Sequence, residues 1–91
     1  MEFRITLHSG LGRPSDALEL LWRRLGTHRE GVAFAKVGDE IRATAREDPS
    51  VEMTWDERAE IRRRMVLEIV RSVCEQATEL DWDWFAVSSG G

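Results

Sequence analysis

The segment from residue 54 onward constrains this chain more than any other. Thr54-Trp55-Asp56-Glu57 reads as a capping box, in which a threonine side chain and a glutamate three residues later satisfy the free amide groups at a helix start. A long helix is expected from 55 to about 79. Met65, Val66, Ile69, Val70, Val73, Cys74 and Ala77 gather on one broad side of it, and Glu57, Glu60, Arg64, Glu68, Arg71 and Glu75 on the other. Oppositely charged pairs four apart, such as Glu60/Arg64 and Arg71/Glu75, mark the second side as solvated. At about 1.5 Å per residue the helix would approach 40 Å, longer than a small sheet can cover, so one end is expected to overhang or to meet a partner. Arg58 and Arg62 fall near the apolar side of its first turns, where they overhang the core or pair with a carboxylate.

Residues 2–8 alternate. Phe3, Ile5 and Leu7 point one way and Arg4, Thr6 and His8 the other, the pattern of a half-buried strand. Glycines and a proline in Ser9–Pro14 make a loop. A helix over 15–25 follows, with Pro14 and Ser15 at its start, an apolar stripe of Leu18, Leu21, Trp22 and Leu25, and Gly26 to end it. Val32–Val37 and Glu40–Arg46 read as a hairpin turning at Gly38-Asp39, a type II′ geometry. Ile41, Ala43 and Ala45 would then face the core. The competing reading makes 39–47 a short helix, because Ala, Glu and Arg are good helix formers. Asp48-Pro49-Ser50 breaks the pattern, and Trp82–Val87 reads as a last, aromatic-rich strand.

That order predicts an α+β fold of the ferredoxin-like β-α-β-β-α-β type, with two helices on one face of a four-stranded antiparallel sheet. A chain of 91 residues fits one such domain, placed at 1–88, with 89–91 as a tail. The other sheet face is expected to be open to solvent or to a second chain.

Apolar residues at 42% and charged residues at 33% suit a folded globule. A net charge of −4 argues against nucleic acid as a partner. The single cysteine excludes an intramolecular disulfide and favours a reducing, cytoplasmic compartment. No apolar run approaches the roughly 18 residues that a membrane span requires. The sequence carries no metal-ligand spacing and no phosphate-binding glycine loop, so no metal and no cofactor is expected.

With Phe85 and Val87 inward, Trp82 and Trp84 would lie on the open sheet face beside Arg4, Arg42 and Arg46. Exposed neighbouring tryptophans mark contact surfaces. The leading expectation is therefore a small intracellular protein–protein interaction module, self-associating as a homodimer through that face or through the overhanging helix, or meeting a protein partner there. The alternative is a cofactor-free enzyme or small-ligand-binding protein with a site around His8, Arg4, Arg42 and Trp84, since His8 ends a strand beside a glycine-bearing loop. No nucleophile–base pair is visible to favour catalysis. A second alternative comes from the C-terminus. Gly90-Gly91 resembles the diglycine tail of sulfur carriers and ubiquitin-like proteins. That resemblance implies a tail activated at its carboxylate, but those proteins open with a β-hairpin, whereas here a helix is expected after the first strand. Cys74, on the apolar side of the long helix, reads as a small buried hydrophobe.

Overall fold

A computed structural model describes residues 1–8, 12, 14–46 and 52–89. Alternation dictates the sheet. Strand β1 (Glu2–Leu7) buries Phe3 and Ile5, β3 (Val32–Val37) buries Val32 and Phe34, and β4 (Glu40–Ala45) buries Ile41, Ala43 and Ala45. The extended reading of residues 40–45 therefore holds over the helical one. Gly38, at φ 61°, takes the positive dihedral that the tight turn between β3 and β4 requires, and Val37 pairs with Glu40 to close it.

Helix α1 (Ala17–Leu25) starts two residues later than the proline suggests and buries Ala17, Leu18, Leu21 and Leu25. Gly26 ends it at φ 73°, its N–H donating to the Trp22 carbonyl. Helix α2 (Trp55–Glu75) has 21 residues, about 32 Å at the usual rise. The Thr54 hydroxyl accepts the Glu57 N–H at 3.2 Å, as the capping box predicts. Replacing Thr54 with alanine is expected to cost about 1 kcal/mol of stability, measurable by urea denaturation, because that amide loses its acceptor.

With β2 (His28–Arg29) and β5 (Phe85–Ser89), the sheet is antiparallel and has five strands in the order β2-β3-β4-β1-β5. The expected count was four. The added strand, β2 (His28–Arg29), is two residues long and folds back on β3 through Glu30-Gly31, both at positive φ. Both helices pack on one sheet face, where Phe3, Ile5, Phe34 and Ile41 join Leu21, Val66, Val70 and Val73 in a single core.

The C-terminal region departs from expectation in two ways. Helix α2 stops at Glu75 rather than near 79, and the last strand, β5 (Phe85–Ser89), begins after the tryptophans. Trp82–Trp84 instead form a 3-10 turn, capped by the Asp81 carboxylate accepting the Asp83 N–H at 3.0 Å. Ser89, read from sequence as the start of the tail, pairs with Phe3, next to the pair of Ser88 with Arg4. Gly90 and Gly91 lie outside the described residues.

Candidate functional site

The second sheet face carries Arg4 and Thr6 from β1, Glu40, Arg42 and Thr44 from β4, and Ala33 and Ala35 from β3. Arg4 and Arg42 sit directly opposite each other on adjacent strands. Like charges so placed repel, and two carboxylates offset them. Glu40 lies 3.5 Å from Arg4 and 3.6 Å from Arg42, and Glu2 lies 3.8 Å from Arg42. The structure thus brings Arg4 and Arg42 together as expected, with their charge already met. Arg46 follows β4 and is exposed.

The tryptophans do not share this face. Trp84 packs against the core, and the Trp82 ring lies under Arg71 of α2, on the helical side of the sheet. Their places ahead of β5, rather than in it, account for the difference. His8 meets Trp84 through the backbone, its N–H donating to the Trp84 carbonyl at 2.8 Å. His28, on β2, lies opposite Ala33.

Exposed large apolar side chains gather instead at the start of α2. Met53 is 40% exposed, Trp55 55% and Ile61 50%. Trp55 continues the stripe of Ala59, Val66 and Val70 but is exposed, so the apolar stripe runs on past the buried core at this end. Ile61 stands on the opposite, charged side. With Met53, Glu57 and Arg64 it lines a shallow groove of about 420 Å³. Sequence periodicity pointed past Ile61, although an isoleucine between Glu57 and Arg64 on a solvated stripe is itself a signal.

The charges around that groove are ordered. Arg63 holds Glu60 through two bonds, at 2.8 and 3.0 Å, and Arg64 adds a third at 3.2 Å. Chiefly through Arg63, the Glu60 carboxyl is drawn from 4.5 down to about 2. Its contribution to stability is therefore present above the ordinary carboxylate range and fades as pH falls toward 2. Arg63 also reaches the Val87 carbonyl at 3.5 Å, tying α2 to the outer edge of β5. Arg58 and Arg62 overhang, and among the described residues neither pairs with a carboxylate. Arg62 contacts the Met65 sulfur at 3.8 Å, and the Arg58 Nε is buried with no hydrogen-bond partner among the described residues.

Cys74 is buried, and burial, with the Asp81 charge adding to it, pushes its thiol up to about 11. A neutral thiol is a poor nucleophile. We expect Cys74 to resist iodoacetamide at neutral pH until denaturant is added, as read by intact mass. Its raised value also makes stability fall as pH climbs from about 9 toward 11, because only the unfolded chain ionises readily there.

Among the described residues, no group of three or more His, Cys, Asp or Glu side chains could hold a metal ion, and no helix is long and apolar enough to cross a membrane. No protein family model matches the chain, and no significant match was found among curated proteins or solved structures.

Proposed function

We propose that this chain is a small protein–protein assembly module that forms a homodimer through the outward side of α2 around Ile61. The observation that carries this reading is the half-exposed isoleucine on an otherwise charged helix face, beside Met53 and above a groove. A second copy is the occupant that the charges favour. Glu57 stands one turn before Ile61 and Arg64 one turn after it, and both line the groove. Two such helices crossing antiparallel at Ile61 would set the acidic side of each against the basic side of the other. A two-fold contact requires this kind of self-complementarity.

The framework behind it is read as the ferredoxin-like split β-α-β arrangement with one short strand added at an edge. The order β3-β4-β1-β5, with helices after β1 and β4, supports that reading. The open sheet face is a weaker candidate for the contact, since it lacks the tryptophans.

Sedimentation equilibrium of the full chain tests the proposal. A monomer–dimer equilibrium across the micromolar range is expected. A monomer at high micromolar concentration would overturn it.

A further inference from the structure

A second cavity, of about 330 Å³, opens where α2 ends and the 3-10 turn begins. Its walls include Glu75, Glu79, Leu80, Asp81, Trp82 and Trp84. The size lies at the lower end of small-ligand sites, roughly 300–1,000 Å³. Its chemistry is lopsided, with two indoles, three carboxylates and no cationic side chain in the lining.

Indole faces are electron-rich and attract cations. The chain already uses this property. The Arg71 guanidinium lies 5.1 Å from the centre of the Trp82 ring while its Nε donates to Glu75 at 3.1 Å. Glu79 is likewise engaged, receiving two bonds from Arg24 at 2.7 and 3.0 Å. Asp81 is different. One of its oxygens accepts the Asp83 N–H, and among the described residues it has no cationic partner. The wall therefore carries one uncompensated negative charge beside aromatic surface.

We propose that this cavity binds an organic monocation, an alkylammonium or guanidinium group, against the indoles of Trp82 and Trp84 with Asp81 as its counter-charge. An anion would be repelled by the lining. A neutral apolar ligand would cover Asp81 without answering its charge. A divalent metal would need several converging hard ligands, which the described residues do not supply.

The test follows the indole N–H resonances of the ¹⁵N-labelled full chain, with Trp22 and Trp55, which are outside the lining, as internal references. Tetramethylammonium and methylguanidinium are titrated, and tert-butanol serves as the neutral match in shape. Saturable shifts of Trp82 and Trp84 with the cations alone are expected, at dissociation constants of about 1 mM. The tighter of the two cations identifies the head group. Asp81→Asn keeps the acceptor for Asp83 and removes the charge, and should weaken binding about fivefold. An equal response to tert-butanol, unchanged affinity in Asp81→Asn, or no saturable shift would each overturn the proposal.

Discussion

Truncation of Ile41 to alanine is expected to remove about 2–5 kcal/mol of stability, the range for a fully buried aliphatic side chain that leaves a cavity. Ile41 has no exposed surface and lies in β4 between Ile5 on β1 and Lys36 on β3, at the centre of the sheet. At roughly 0.05–0.15 kcal/mol per residue, a domain of this length holds about 5–14 kcal/mol in total. The loss therefore takes a large share of it, and the melting midpoint should fall by roughly 10–30 °C. Thr44→Ala, three residues along the same strand and on the open face, should change stability by no more than about 0.5 kcal/mol. Chemical denaturation of the two variants beside the parent reads the contrast. Equal losses at 41 and 44 would mean that β4 does not present alternate faces to core and solvent, and the sheet described above would be wrong.

The elements legible in the sequence were those in which one periodicity prevailed. Period two in residues 2–7 and 40–45, with a glycine at the turn, was enough to place β1, β3 and β4. A capped stripe spaced at three and four placed α2. The misread elements are those where local chemistry imitates a period. Trp82-Asp83-Trp84 alternates and carries strand-favouring rings, yet Asp81 accepts the Asp83 amide and curls the segment into a turn. Strand β2 is two residues long, too short to alternate, and its turn uses Glu30 at φ 50°, where Asn, Asp or Gly would have advertised a hairpin. The candidate site divided along the same line. Arg4 and Arg42 were placed together because strand pairing is regular. The tryptophan-bearing sheet face was not formed, because it depended on a strand boundary three residues too early. Ile61 was hidden by its neighbours, since a single apolar residue hardly alters the average of a charged helix face.

Reversing charge on both sides of Ile61 should separate a specific helix contact from general stickiness. Ile61→Asp comes first. The side chain is half exposed in the monomer, so its loss should leave the fold intact, while in a two-fold contact each substitution counts twice. Burying the two isoleucines is worth about 2–3 kcal/mol together, given their partial exposure. The variant also sets carboxylates face to face, so the dimer dissociation constant should rise by about 100-fold or more. Glu57→Arg and Arg64→Glu are the sharper pair. Either change alone places like charges across the axis and should weaken the dimer about five- to tenfold, with a steeper penalty at low salt. Both changes together reverse the pattern without spoiling its complementarity, and association should return to near the parental level. Sedimentation equilibrium at two salt concentrations measures the four variants beside the parent. If the double variant is no better than the singles, the acidic and basic halves of this segment do not face each other, and an antiparallel crossing at Ile61 is excluded. If Ile61→Asp leaves a dimer untouched, association runs through another surface, and the open sheet face becomes the next one to probe.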